Sequence, residues 1–191
     1  NCDGRTNLTF TGKATLTLAR TIPVITASQT VTFGQGLTDG IFGTSNVTKS
    51  GRGTLAFSGG SGYSGTTTIA VDGGTLLLTG TATMLHSTVF TVNQGGVLKL
   101  DNSITPNSDR LNDAFPITLS GGKLTLAAGA ETGGSVTLTA NLSSTIESAT
   151  GTAGTPNRRV RGLATAGGAL LKALGRTTDR PAGGRARTRR E

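Results

Sequence analysis

The sequence contains three copies of a Gly-Gly-x-Leu-x-Leu motif, at residues 73–78, 95–100 and 121–126. In each copy a glycine pair, which permits a tight turn, comes before the two-residue apolar alternation of a half-buried strand. A second apolar alternation precedes each pair, and the three cases are Ile69-x-Val71, Phe90-x-Val92 and Ile117-x-Leu119. The motif therefore predicts a repeating unit of strand, glycine bend and strand.

The bends recur at a nearly constant interval along the chain. Their leading glycines are Gly12, Gly34, Gly51, Gly73, Gly95 and Gly121, and they lie 22, 17, 22, 22 and 26 residues apart. Such a period indicates a solenoid, in which each unit packs only on its neighbours. The interval of 17 predicts a shortened bend. The interval of 26 predicts a loop, which we assign to residues 101–116 because they are rich in Asn, Asp and Ser.

Stacking of these units predicts four interior columns of apolar side chains, with coils about 4.8 Å apart. The first column contains Leu16, Leu55, Leu76, Leu98 and Leu124, and the second contains Leu18, Phe57, Leu78, Leu100 and Leu126. The third contains Ile69, Phe90 and Ile117, and the fourth contains Val71, Val92 and Leu119. The predicted fold class is therefore an all-β parallel β-helix. Two alternatives remain: an antiparallel sandwich with glycine-rich turns, and a disordered low-complexity chain, which would need no period.

Composition and charge divide the chain into two parts. Apolar residues make up 34% and aromatic residues 4%, which suits a narrow core of aliphatic side chains. Residues 1–154 carry eight basic and eight acidic side chains, whereas residues 155–191 carry ten basic and two acidic ones, so the whole net charge of +8 lies in the second part. We therefore predict a β-helical segment over residues 1–154 and a basic tail over residues 155–191.

The tail, rich in Arg, Ala and Gly, is predicted to be disordered, or to form two turns of helix over residues 169–174. It would bind anionic surfaces without specificity, and specific nucleic-acid recognition is not expected because no aromatic residues are interspersed with its charges. A genuine tail and a product of a shifted reading frame are both open interpretations. The single cysteine, Cys2, can form no intrachain disulfide.

A catalytic triad would have to use His86, the only histidine. Its candidate partners are Ser87, Ser64 and Asp72. Nothing in their spacing sets the required geometry, and a histidine in a surface loop is the simpler interpretation. The same part of the chain contains Tyr63, which we expect to fill a gap between coils.

Two acidic groups are candidates for other chemistry. Calcium prefers oxygen ligands, which Asp101, Asn102, Asp109, Asn112 and Asp113 would supply, although a solvated loop is the simpler interpretation. Some β-helices cleave polysaccharides with paired carboxylates, for which the candidates are Asp72 and Asp101. The matching positions on neighbouring coils are Asn93, Ser120 and Asn102, and none of these residues is acidic. The sequence therefore predicts no catalytic, cofactor or metal site.

Residues 47–80 contain a longer pattern: Lys-x-Gly-x-Gly-x-Leu, then Tyr-Ser-Gly-x-Thr, then Gly-Gly-x-Leu. Its residues are Lys49, Gly51, Gly53, Leu55, Tyr63, Ser64, Gly65, Thr67, Gly73, Gly74 and Leu76. This segment resembles the autotransporter-associated β-strand repeat of bacterial passenger domains. Weaker similarity continues to about residue 150 and includes Leu100-Asp101-Asn102 and Asp109-Arg110-Leu111.

The resemblance implies a right-handed parallel β-helix that is exported and exposed at the bacterial cell surface, as a stiff stalk or adhesive surface that aids its own export. Its implied partners are surface glycans or further copies of itself, and its parent protein would be anchored by an outer-membrane barrel. The first residues lack Met and a signal segment, so we expect a mature product or a fragment. The alternative functions are a carbohydrate-active β-helix enzyme (a polysaccharide lyase or hydrolase) and a binding module based on the basic tail.

Overall fold

The structure, a computed structural model, describes residues 7–148 and the backbone of three short strands beyond them. Its elements in chain order are β1 (Leu8–Phe10), β2 (Ala14–Leu16), β3 (Arg20–Pro23), β4 (Thr30–Phe33), β5 (Leu37–Asp39), β6 (Val47–Ser50), β7 (Thr54–Phe57), β8 (Thr67–Ile69), β9 (Thr75–Leu78), β10 (Phe90–Asn93), β11 (Val97–Leu100), β12 (Ile117–Ser120), β13 (Lys123–Leu126), β14 (Glu131–Thr132), β15 (Val136–Leu138), β16 (Thr145–Ser148), β17 (Val160–Arg161), β18 (Ala164–Ala166) and β19 (Lys172–Ala173). No helix occurs among the described residues, and all pairings between these strands are parallel.

The strands form two long sheets that share one core. The first sheet has the order β1-β4-β7-β9-β11-β13-β16-β19, and the second has the order β3-β6-β8-β10-β12-β15-β18. The pairs β2–β5 and β14–β17, together with a bridge between Met84 and Leu111, form a third wall. Since the chain alternates between the sheets and pairs each strand with its equivalent one coil later, it winds as a solenoid. The predicted parallel β-helix is confirmed, and crossovers of this kind are right-handed with few exceptions.

Two of the predicted columns lie on the buried face of the first sheet. The register stacks Leu55, Leu76, Leu98 and Leu124 in one column and Phe57, Leu78, Leu100 and Leu126 in the other. At the N-terminal end the second column continues as an aromatic stack, in which the ring of Phe33 lies 5.8 Å from that of Phe57 and 5.0 Å from that of Phe10. These columns make the first sheet the most continuous part of the core.

The prediction was wrong for Leu16 and Leu18. Leu16 pairs with Asp39 in the third wall, and Leu18 is 60% exposed. The places predicted for them in the columns belong to Val31 and Phe33. The cause lies in the glycines, because Gly12 and Gly34 follow strands of the first sheet whereas Gly51 precedes one. The interval of 17 thus compared two different bends. Val31 and Leu55 are 24 residues apart, so this coil is not shortened.

In the third and fourth predicted columns the pairs Phe90–Ile117 and Val92–Leu119 are confirmed, but Ile69 and Val71 were placed two residues out of register. Ile69 aligns with Val92 and Leu119, Phe90 aligns with Thr67 and Ile117, and Val71 is 64% exposed. The cause is a bend of variable length. Three residues separate Ile69 from the glycine pair of its bend, two separate Val92 from its pair, and one separates Leu119 from its pair. The distance from a glycine pair back to the preceding strand is therefore not constant, and this explains why Ile69 and Val71 were misplaced.

The bends depend on glycine where the backbone enters the left-handed region. The φ angles of Gly51, Gly74, Gly95 and Gly121 are 74°, 63°, 73° and 80°. At Gly74 a Cβ atom would also lie 2.3 Å from the carbonyl oxygen of Gly53 in the preceding coil. The predicted glycine bends are left-handed in these four cases, although in one of them the left-handed glycine is the second of the pair, whereas the predicted bend glycines Gly12 and Gly34 do not have positive φ.

The loop predicted at residues 101–116 is confirmed, since it connects β11 to β12. The predicted tail lies mostly outside the described residues, as does Cys2. Within the tail, β17, β18 and β19 pair in parallel with β14, β15 and β16. Lys172 and Ala173 form a strand where two helical turns were predicted, and the rest of residues 169–174 lies outside the described residues.

Candidate functional site

The structure does not assemble a triad around His86. The histidine is exposed, whereas Ser87 is 1% exposed and its hydroxyl donates to the Gly65 carbonyl oxygen at 3.0 Å. Ser64 is bonded to a different residue, because its hydroxyl donates to the Asp39 carboxylate at 2.5 Å. Among the described residues no hydrogen bond joins His86 to a candidate partner.

The two candidate carboxylates lie at opposite ends of the first sheet's strands. Asp72 is in the bend before β9, with φ of 50°, and Asp101 follows β11 on the next coil. A four-residue strand is about 13 Å long, at about 3.3 Å per residue. Carboxylate pairs in glycoside hydrolases are about 5–9.5 Å apart. Asp72 and Asp101 therefore do not form such a pair.

Two of the candidate calcium ligands, Asp101 and Asn102, use side-chain oxygen atoms to accept hydrogen bonds from other residues of the loop. The carboxylate of Asp101 accepts hydrogen bonds from the hydroxyl and backbone N–H of Ser103, and these bonds, against a smaller effect of burial, lower the pKa of Asp101. Asn102 is 3% exposed and accepts a hydrogen bond from Arg110. In the part of the chain that the structure describes, no three His, Cys, Asp or Glu side chains are grouped to hold a metal ion.

The other three candidate calcium ligands do not share a common partner. Asn112 donates to the carbonyl oxygen of Leu85 at 2.8 Å and accepts from the backbone N–H of Ala114. Asp109 and Asp113 are exposed. The five residues named as possible calcium ligands thus face different partners, and the arrangement does not resemble a coordination shell.

A buried arginine, which the sequence did not single out as a site, organises this loop. Arg110 is 0% exposed, and besides its bond to Asn102 its guanidinium donates to four carbonyl oxygens. These belong to Ala82 at 2.8 Å, Gly80 at 3.0 Å, Asp101 at 2.9 Å and Thr105 at 3.0 Å. Burial lowers the pKa of Arg110, and the nearby Glu131 and Asp101 oppose that shift. The arginine therefore ties the loop to the preceding coil.

Glu131 holds the same segment from the following coil. One of its carboxylate oxygens accepts hydrogen bonds from the backbone N–H groups of Arg110, at 2.8 Å, and Leu111, at 2.9 Å. The other oxygen is buried without a partner among the described residues. Burial raises the pKa of Glu131 to about 7, although these hydrogen bonds oppose the shift. The segments Leu100-Asp101-Asn102 and Asp109-Arg110-Leu111, noted in the resemblance, are the sequence signal for this cluster.

Lys49 occupies an inward position of β6, where the register aligns it with Ile22 and Ile69. Its side chain is fully buried, and Nζ donates to the carbonyl oxygens of Ser50, Gly51 and Gly73, each at 2.7 Å. Burial lowers the pKa of Lys49 to about 8. The three donors of the ammonium group thus match three carbonyl oxygens of two neighbouring bends.

Tyr63 is 1% exposed, in agreement with the expectation that it fills a gap between coils. Its hydroxyl lies 2.5 Å from that of Thr67, which lies 2.6 Å from that of Ser87 on the next coil. Burial raises the pKa of Tyr63, partly offset by these hydrogen bonds. Lys49, Tyr63 and Thr67 all belong to the repeat-like pattern. Its buried polar side chains therefore connect successive coils and are not arranged as a reaction centre.

Comparison with protein-family models, with curated proteins and with solved structures finds no match for this chain. Within the described residues, no helix is long and apolar enough to cross a bilayer. Most of the basic tail, with its predicted anionic partners, lies outside the described residues.

Proposed function

We propose that this chain is a structural segment of an exported bacterial surface protein, which forms a stiff β-helical stalk or adhesive surface outside the cell. The observation that carries the proposal is the unbroken register of the first sheet. Leu55, Leu76, Leu98 and Leu124 stack in one column across four coils, with Phe57 to Leu126 in a second column beside them. A solenoid of this kind extends in one direction by adding coils, which is what a stalk requires.

The buried polar contacts support the same role. Lys49 and Arg110 each bind carbonyl oxygens on a neighbouring coil, so bending the solenoid would break charged hydrogen bonds as well as apolar contacts. Such bonds are stronger than neutral ones, and here they add to the backbone hydrogen bonds that join neighbouring coils at the bends. The repeat-like pattern in residues 47–80 supports export to the cell surface.

A surface-display experiment tests the proposal. The full chain, carrying an epitope tag, is placed between a secretion signal and an outer-membrane anchor, and antibody binding to intact cells is measured. The proposal expects surface signal that disappears after external protease treatment. Retention of the tag inside the cell, with a control passenger displayed normally, would overturn it. Release of reducing sugar from bacterial or plant polysaccharides by the purified chain would favour the enzyme alternative.

A further inference from the structure

The outward face of the second sheet has one threonine at the same position of each strand. The register aligns Thr21, Thr48, Thr68, Thr91, Thr118 and Thr137 as nearest neighbours on successive coils. The backbone register continues to Thr165. Neighbouring strands are about 4.8 Å apart, so the threonines form a regular row along the solenoid. We call this row the threonine column.

Strand propensity does not explain the column. Threonine favours strands in general, and the chain is rich in it. The equivalent outward position of the first sheet nevertheless holds a mixed set: Thr9, Thr32, Ala56, Leu77, Lys99, Thr125 and Glu147. Both sheets have the same fold requirement, so the uniformity of the second sheet calls for a reason outside the fold.

The hydroxyl groups of the threonine column are available to a ligand. None of them makes a hydrogen bond to another described residue, in contrast to the inward Thr67, whose hydroxyl bonds to Tyr63 and Ser87. The side chains of Thr48, Thr68, Thr91 and Thr118 are half-buried by their neighbours. Threonine is stiff at χ1, so the row loses little side-chain entropy when a ligand orders it.

From β6 to β15 the face around the column is small in its side chains and lacks charge. Two residues further along β6, β8, β10, β12 and β15 or their extensions, about 6.7 Å away, stand Ser50, Ala70, Asn93, Ser120 and Thr139. From β6 to β15 the only charged side chain within the second sheet's strands is that of Lys49, which points into the core. Stacked side-chain ladders also favour a flat sheet. The result is a regular grid of small side chains, most of which present hydroxyl or methyl groups.

We propose that this face binds ice. Its two spacings, about 4.8 Å between coils and about 6.7 Å along a strand, are close to repeats of the hexagonal ice lattice. Threonine hydroxyls can hydrogen-bond to lattice water while their methyl groups order the water between them. The absence of charge matters, because a charged side chain would hold its own hydration shell and disrupt the lattice. A protein or membrane partner would instead be expected to need large apolar or charged anchors, which this face lacks.

The inference goes beyond the proposed function, since a stalk needs no particular outer face. The test uses the full chain fused to a fluorescent protein and measures its incorporation into a growing ice hemisphere and the thermal hysteresis of its solution. The variants Thr91→Tyr and Thr118→Tyr place a bulky ring within the column. Thr32→Tyr places the same ring at an outward position of the first sheet and is the matched control. Circular dichroism verifies that all three variants are folded.

The natural sequence and Thr32→Tyr are expected to enter the ice and to produce thermal hysteresis, while Thr91→Tyr and Thr118→Tyr lose both. Exclusion of the natural sequence from ice would overturn the inference, as would equal behaviour of all three variants. Binding to chitin or cellulose that Thr91→Tyr abolishes, without ice binding, would assign the face to a polysaccharide and would also overturn it. None of these outcomes depends on whether the chain is displayed at a cell surface.

Discussion

The side-chain nitrogen of Lys49 donates a hydrogen bond of 2.7 Å to the carbonyl oxygen of Gly73, which lies one coil further along the chain. The same nitrogen binds the carbonyl oxygens of Ser50 and Gly51 in its own coil. A single ammonium group thus joins two successive bends from inside the core. This position would otherwise continue the apolar column of Ile69, so the lysine is retained at the cost of burying a charge.

Replacing Lys49 with methionine should destabilise the protein by about 2–3 kcal/mol, because a buried acceptor without a partner costs about 1–3 kcal/mol. Methionine keeps the length of the side chain and removes only the donors. The measurement is the free energy of unfolding from urea titration. Lys99→Met is the control, since Lys99 forms a partly exposed pair with Asp101 at 3.8 Å, and its loss should cost less than about 0.5 kcal/mol. An equal cost for both substitutions would show that the three carbonyl contacts contribute nothing.

The interior columns predict a contrast between two leucines. Leu98 is fully buried between Leu76 and Leu124, so Leu98→Ala should cost about 2–5 kcal/mol. Leu18, which the glycine spacing had placed in a core column, is 60% exposed, and Leu18→Ala should change stability by less than about 0.5 kcal/mol. Thermal unfolding of the two variants checks both values. A large loss for Leu18→Ala would support the register predicted from the sequence.

The sequence predicted the solenoid and most of the first sheet because the glycine pair lies immediately before each of those strands. The distance from the glycines to Leu76, Leu98 and Leu124 is constant, so counting forward is safe. The distance from a glycine pair to the strand before it is not constant, since the bend after Ile69 is longer than the bend after Leu119. The strands of the second sheet could therefore be predicted, with β10 and β12 in the correct register, but β8 was displaced by two residues.

The buried cations and the threonine column could not be predicted for a related reason. Lys49 and Arg110 are buried because carbonyl oxygens of other coils converge on them, and that convergence depends on how coils stack. The same holds for Thr68 and Thr91, which are 23 residues apart and become neighbours only once the register of β8 with β10 is known. The local sequence pattern shows which residues alternate along a strand. The partners of the polar residues depend instead on contacts between coils.

The bend conformation predicts opposite effects for two glycines. Gly74 has φ of 63°, and Gly74→Ala should cost about 1–2 kcal/mol for the left-handed conformation alone. The added Cβ would also lie 2.3 Å from the carbonyl oxygen of Gly53, which increases the cost. At Gly12 a Cβ would meet nothing within 4 Å, so Gly12→Ala should leave stability unchanged or slightly higher. Urea midpoints measure both, and equal destabilisation would contradict the assigned bend geometry.

The loop of residues 101–116 should depend on Arg110. Arg110→Met removes the donors to Asn102 and to four carbonyl oxygens, and we expect a loss of about 3 kcal/mol or more. Limited proteolysis should then cut within the loop at protease concentrations that leave the natural sequence intact. Arg52→Met is the control, because Arg52 is exposed and its loss should change neither result. Unchanged cleavage in Arg110→Met would mean that the loop is held by other contacts.

Glu131 predicts how stability varies with pH. Because burial raises its pKa to about 7 from an ordinary 4.5, the folded state holds a proton that the unfolded state releases between these values. The stabilising contribution is therefore complete below pH 4.5 and is lost as the pH rises to about 7, by up to about 3 kcal/mol. Asp39 and Asp101 have lowered pKa values, so their effects fall below pH 4 and leave this window clear.

Glu131→Gln keeps an oxygen that can accept from the backbone N–H groups of Arg110 and Leu111 but cannot titrate. Its free energy of unfolding should be level between pH 4.5 and 7, where that of the natural sequence declines. Glu147→Gln is the control, because Glu147 forms a partly exposed pair with Lys123 and its removal should leave the decline in place. If the natural sequence and Glu131→Gln declined in parallel, the buried carboxylate would not be the group that takes up the proton, and the coupling of Glu131 to the Arg110 loop would have to rest on its two hydrogen bonds alone.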